Sequence, residues 1–164
     1  GSAIHRLLEV LPSIDPPLRL EKAKLYLSRR LGEGQEKLAE QVTAILEDHR
    51  FADLFSGASR AEVSIGGNVM IDGMARPVSG KIDRLVVTRD AVLIADYKTT
   101  RPAPKDRLAV PHTHVAQLAL YAEVLKGIYP DCRIGASLVY TEGPYLHAYD
   151  EIELSAALAA VTAT

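Results

Sequence analysis

Apolar residues recur at helical spacing from the start of the chain, at Ile4, Leu7, Leu8 and Leu11, and Pro12, Pro16 and Pro17 end that run. Two further helical patterns follow, at about 20–30 and 35–48, separated by Gly32 and Gly34. From Ala61 the period changes to two. Glu62 to Ile65, Val69 to Ile71, Ile82 to Thr88 and Ala91 to Tyr97 read as strands, punctuated by Gly66-Gly67, Gly73 and Gly80. Pro102, Pro104 and Pro111 mark a loop, after which His114, Gln117, Leu118, Tyr121, Ala122 and Leu125 return to helical spacing until Gly127 and Pro130. Ile134 to Thr141 and Tyr145 to Tyr149 read as late strands, and Leu154 to Val161 as a closing Ala-rich helix. No repeat, low-complexity tract or linker divides the chain. It reads as one domain over 1–164: a helical part over 1–60, a sheet with a crossing helix over 61–141, and a C-terminal strand and helix over 142–164. This order predicts an α/β architecture with a mixed, mainly antiparallel central sheet flanked by helices.

The central strands carry residues that a strand core disfavours, Asp83 in one and Asp96 in the other. If Arg89 and Asp90 form a two-residue turn, Thr88 pairs with Ala91 and every cross-strand pair has numbers summing to 179. Asp83 then lies opposite Asp96, with Cβ atoms roughly 4.5–5.5 Å apart, and Lys98 shares their face. Like charges opposed in this way destabilise a strand pair unless something positive stands between them. A divalent cation would serve, because hard cations take carboxylate oxygens and activate water. Lys98 would then orient or deprotonate that water. An ordinary salt bridge between Lys98 and one aspartate is the other reading, and a one-residue slip in register would remove the geometry.

Composition narrows the chemistry. Apolar residues make up 48% of the chain and charged residues 24%, enough for a packed core, which excludes disorder as the main state. No run of about 18 apolar residues and no secretory pattern is present, so the expectation is a cytoplasmic domain with no membrane partner. A single cysteine, Cys132, excludes an internal disulfide and a cysteine-ligated iron–sulfur cluster, so any metal must be held by oxygen and nitrogen. The glycines form no phosphate-cradling loop ahead of a helix, and no bound nucleotide is expected. The net charge of −2 argues against nucleic acid until the charges are placed. Residues 78–110 hold seven Lys and Arg against four Asp, a local +3, while the remainder carries −5. Thr99, Thr100, Arg101, Lys105 and Arg107 follow Lys98 in a loop suited to backbone phosphates, though a solvated charged loop has the same composition.

The order Gly80-Lys81-Ile82-Asp83-Arg84, then Ile94-Ala95-Asp96-Tyr97-Lys98-Thr99, then Gln117 with Tyr121, resembles the RecB-type branch of the PD-(D/E)xK nucleases. Within that branch it is similar to the C-terminal nuclease domain of the AddA subunit of bacterial AddAB helicase-nucleases. The opening Gly1 to Glu9 resembles that family's first motif, whose histidine is a metal ligand. The resemblance runs from His5 to about Thr141.

It implies a restriction-endonuclease-like core in which His5, Asp83, Asp96 and the Tyr97 carbonyl hold Mg²⁺ or Mn²⁺. Lys98 is then the catalytic lysine, and Gln117 and Tyr121 match a Gln-xxx-Tyr motif beside the site. Family members often carry an aromatic residue three positions before the glutamine, where this chain has His114. The implied activity is metal-dependent hydrolysis of DNA, as the exonuclease domain of a double-strand-break repair enzyme. Its implied partners are single-stranded DNA, a helicase portion lying elsewhere and an AddB-like subunit. The other reading is a DNA-binding or scaffold module that keeps the fold without turnover, against which the presence of His5, Asp83, Asp96 and Lys98 together argues.

Overall fold

The computed structural model describes residues 1–162. Three helices open the chain, α1 (Ser2–Val10), α2 (Arg19–Leu31) and α3 (Glu36–Glu47), followed by a 3-10 segment, His49–Phe55. Strands β1 (Ser59–Ile71), β2 (Met74–Val87) and β3 (Ala91–Lys98) come next, then helix α4 (His112–Ile128), strands β4 (Arg133–Tyr140) and β5 (Tyr145–Tyr149), and helix α5 (Glu151–Thr162).

The five strands form one sheet in chain order. All neighbours are antiparallel except β3 and β4, which are parallel and joined through α4, as a parallel connection demands. The sheet is therefore mixed and mainly antiparallel, flanked by helices, in agreement with the restriction-endonuclease-like expectation. On one face Ile82, Leu85, Ile94, Ile134 and Leu138 pack with Leu118 and Leu125 of α4 and Leu154 of α5. On the other, Ala95, Tyr97 and Val139 pack with Leu7 and Leu8 of α1, Leu27 of α2, Val42 of α3 and Phe51. β3 is thus covered on both sides, which explains its nearly continuous apolar run. Among the described residues no helix is long and apolar enough to cross a membrane.

The first two strands differ from the sequence pattern. Gly66-Gly67 and Gly80 read as breaks, yet β1 runs unbroken from Ser59 to Ile71 and β2 already begins at Met74. They form a long ribbon that reaches beyond β3, closed by Asp72 and Gly73 at φ 52° and 74°, the left-handed pair of a two-residue hairpin turn. Gly67 and Gly80 lie in the ribbon because α4 crosses it closely. A Cβ at Gly67 would stand 3.1 Å from Val124, and one at Gly80 would overlap the Tyr121 ring. Their meaning is close approach of a helix, which local periodicity does not reveal.

Candidate active site

The β2–β3 pairing is in the register that the turn predicted. Val87 faces Val92, Leu85 faces Ile94 and Arg84 faces Ala95, and Thr88 N–H donates to the Ala91 carbonyl at 2.9 Å. Asp83 and Asp96 are the next positions along, where the two strands part. The Asp83 carboxylate accepts the Tyr97 backbone N–H through Oδ2 at 2.7 Å, so a side chain satisfies that donor at the point where the ladder ends. Asp96 is buried. Its desolvation raises its pKa, the Lys98 ammonium opposes that rise, and the neighbouring Asp83 carboxylate adds to it.

Helix α1 enters this gap from one side. Its apolar stripe, Ala3, Ile4, Leu7 and Leu8, is buried against the helical layer and turns His5 toward the strands. His5 Nδ1 donates to the Gly1 carbonyl at 2.9 Å, and Nε2 stands 3.4 Å from Asp83 Oδ2. The ring meets Tyr97 edge-on, with centroids 5.7 Å apart. Hydrogen bonding to Asp83 is the main cause that raises the imidazole from 6.5 to about 9, against the opposing effect of burial.

Arg84, next to Asp83, points into the helical layer, the opposite side from its neighbour. Its Nη2 donates to the carbonyls of Leu8 at 3.0 Å and Glu9 at 3.4 Å, and Nη1 donates to Ser59 Oγ at 3.2 Å. The guanidinium also lies over the Phe55 ring. Since α1 has no basic residue in its own last turn, a cation from β2 satisfies its terminal carbonyls. The strand that carries Asp83 thereby fastens the helix that carries His5.

Helix α4 closes the other side. Lys98 Nζ lies 2.8 Å from Asp96 Oδ2 and donates to Gln117 Oε1 at 3.1 Å; Gln117 Nε2 in turn donates to Tyr121 Oη at 3.3 Å. Gln117 and Tyr121 occupy one face of α4 by their four-residue spacing, and the missing side chain at Gly80 admits the Tyr121 ring. The ammonium is held between a carboxylate and an amide oxygen, a fixed position for a proton donor or acceptor.

These groups suit a divalent cation. Two ligands of one ion at about 2.1 Å each stand no more than about 4.2 Å apart, a span that includes the 3.4 Å between His5 Nε2 and Asp83 Oδ2. With Nδ1 engaged by a backbone carbonyl, Nε2 is the nitrogen left to ligate. Asp96 Oδ2 is buried, and Lys98 approaches it off the angle of a hydrogen bond, so the oxygen retains acceptor capacity. Among the described residues no three His, Cys, Asp or Glu side chains are gathered as a finished cage; Asp83 is turned to the Tyr97 N–H and Asp96 to Lys98.

The cations of the following loop are placed differently from one another. Arg101 is exposed and pairs with Glu142 at 3.4 Å, and Lys105 is exposed. Arg107 is committed to β5 and α5: it pairs with Glu153, donates to the Ala148 carbonyl and lies 4.1 Å over the Tyr149 ring. Sequence reasoning left His114 without a role, and it did not single out Tyr140. Their side chains meet at 2.7 Å, a contact made where α4 packs on β4 and invisible to local pattern.

The PD-(D/E)XK nuclease superfamily matches residues 1–159. Among solved structures, a Eubacterium rectale protein named as a candidate exonuclease is similar at TM-score 0.55 and 14% identity, over 96% of this chain and 64% of that one. The chain thus spans under two thirds of that protein's length. The protein SSO0001 is similar at TM-score 0.43 and 14% identity, over 96% and 71% of the two chains. A search of curated proteins found no match.

Proposed function

The chain belongs to the PD-(D/E)XK nuclease superfamily, and from that premise we propose that it hydrolyses DNA phosphodiester bonds with a divalent cation, Mg²⁺ or Mn²⁺. The observation that carries the reading is the convergence of His5, Asp83, Asp96 and Lys98 where β2 and β3 part. His5 Nε2, the two carboxylates and the Tyr97 carbonyl would hold the ion. When bound, it supplies positive charge that polarises the phosphate oxygens and offsets their charge as phosphorus is attacked. Lys98, fixed by Gln117, orients the attacking water and takes part in moving its proton. Tyr121 holds Gln117 from behind, and Arg101 and Lys105 offer cations to flanking phosphates.

The finer reading is an exonuclease acting on single strands, as the nuclease portion of an AddA-like repair enzyme with a helicase portion and an AddB-like subunit. The motif order, from the histidine of α1 to the Gln-xxx-Tyr pair of α4, supports it. Linear and closed circular single-stranded DNA of one sequence test it. Mg²⁺-dependent loss of the linear form with the circle intact is expected; equal loss of both contradicts the exonuclease reading, and loss of neither contradicts hydrolysis.

A further inference from the structure

Beside the Lys98–Gln117 pair stands a histidine that the proposed chemistry leaves unused. His114 lies one turn before Gln117 on α4, so the two share a helix face. Its Nδ1 is 2.7 Å from the Tyr140 hydroxyl. Tyr140 is wholly buried, and β4 pairs it with Lys98 of β3, so both side chains leave the sheet on the same side. The imidazole is therefore held by a buried anchor on the side of the sheet from which Lys98 projects, near enough for the ammonium charge to act on it.

The anchor also selects the tautomer. A phenol hydroxyl is the better donor to an imidazole nitrogen, and burial pushes Tyr140 up to about 12, so it keeps its proton. Nδ1 accepts that proton, which leaves the hydrogen on Nε2. Burial and the charge of Lys98 lower the pKa of His114, so the ring is a neutral donor at neutral pH. The Tyr140 ring is braced in turn by His147, edge-on at 5.8 Å, whose Nε2 donates to the Pro104 carbonyl at 2.8 Å.

We propose that His114 touches the substrate, its Nε2–H donating to a non-bridging oxygen of the phosphodiester seated beside Lys98, and that Tyr140 is the positioning residue that fixes this nitrogen as the donor. The inference rests on the nuclease reading and adds a residue to that site. A neutral donor from α4 complements the cation at Lys98 and adds no positive charge against the metal.

The two ring nitrogens can be tested separately. His114→Asn places an amide where Nδ1 stands and keeps a partner for Tyr140, while His114→Gln reaches the position of Nε2 and keeps the donor. Cleavage of linear single-stranded DNA in Mg²⁺ is compared for the unmodified chain and both variants, with Asp96→Asn as the inactive control and melting temperature as the measure of folding. His114→Asn is expected to keep its melting temperature and lose about tenfold or more in kcat/KM, with His114→Gln within about threefold of the unmodified chain. An active Asn variant, or a Gln variant as impaired as the Asn variant, overturns the inference and leaves only a structural link to Tyr140. If the unmodified chain cuts no better than Asp96→Asn, the nuclease reading fails and the inference fails with it.

Discussion

The imidazole Nε2 of His5 stands 3.4 Å from Asp83 Oδ2, one group on α1 and the other at the point where β2 leaves β3. The raised pKa of His5 makes the two an ion pair; in the proposed nuclease a cation would take the place of the proton between them, and proton and metal would compete for His5.

That competition sets a pH dependence. The folded pKa of His5, about 9, lies above its ordinary 6.5. The protonated ring therefore stabilises the metal-free fold in full below about pH 6.5, and the contribution is lost as pH rises through about 9. Thermal unfolding in EDTA across this range is expected to show a fall that His5→Gln flattens. Mg²⁺ affinity, followed by titration calorimetry, is expected to strengthen over the same window, because binding displaces the proton.

Cation binding at the proposed site is expected to relieve the confrontation of Asp83 with Asp96. At a free Mg²⁺ or Mn²⁺ concentration about 100 times Kd the gain is about 2.7 kcal/mol, a rise in melting temperature of roughly 5–10 °C for a domain of this size. Asp83→Asn should abolish most of the rise. An equal rise in that variant would show that the ion binds elsewhere.

Removing the brace between Asp83's strand and His5's helix should affect both folding and metal. Arg84→Ala leaves the Leu8 and Glu9 carbonyls without their donor and is expected to cost about 2–4 kcal/mol in urea unfolding. Mg²⁺ affinity should fall as well. In a His5→Ala background the affinity loss should vanish while the stability loss remains.

Gly80 is one of the points where α4 touches the ribbon. In Gly80→Ala the added methyl stands 2.8 Å from Tyr121 Cε1 and Cζ, so the ring must move, at a cost of about 1–3 kcal/mol. Tyr121 then no longer supports Gln117, and activity should fall more than stability. Tyr121→Leu in the same chain is expected to restore stability without restoring activity.

Much of this site was legible in the chain because its decisive contacts are local or fixed by one turn. Arg89 and Asp90 set the hairpin register, and that register alone brings Asp83 next to Asp96 and puts Lys98 on the Asp96 side. Gln117 and Tyr121 share a helix face by spacing alone. The contacts that escaped depend on tertiary crossings: Gly80 against Tyr121, Arg84 against the end of α1, and His114 against Tyr140. Gly67 and Gly80 looked like turn signals because a glycine that admits a helix and one that bends a strand are the same letter. Arg107 fitted the composition of a phosphate-binding loop, yet Tyr149 and Glu153, reached only through the late strand and α5, take up its guanidinium.

If the β2–β3 carboxylates and Lys98 form a metal-dependent hydrolytic site, end-labelled linear single-stranded DNA followed with the unmodified chain, Asp96→Ala and Lys98→Ala, each with Mg²⁺ and with EDTA, will reveal it. Mg²⁺-dependent release of label by the unmodified chain, abolished by EDTA and reduced about a hundredfold or more in both variants, is the predicted result. Release that persists in EDTA, or at an undiminished rate in either variant, would contradict it.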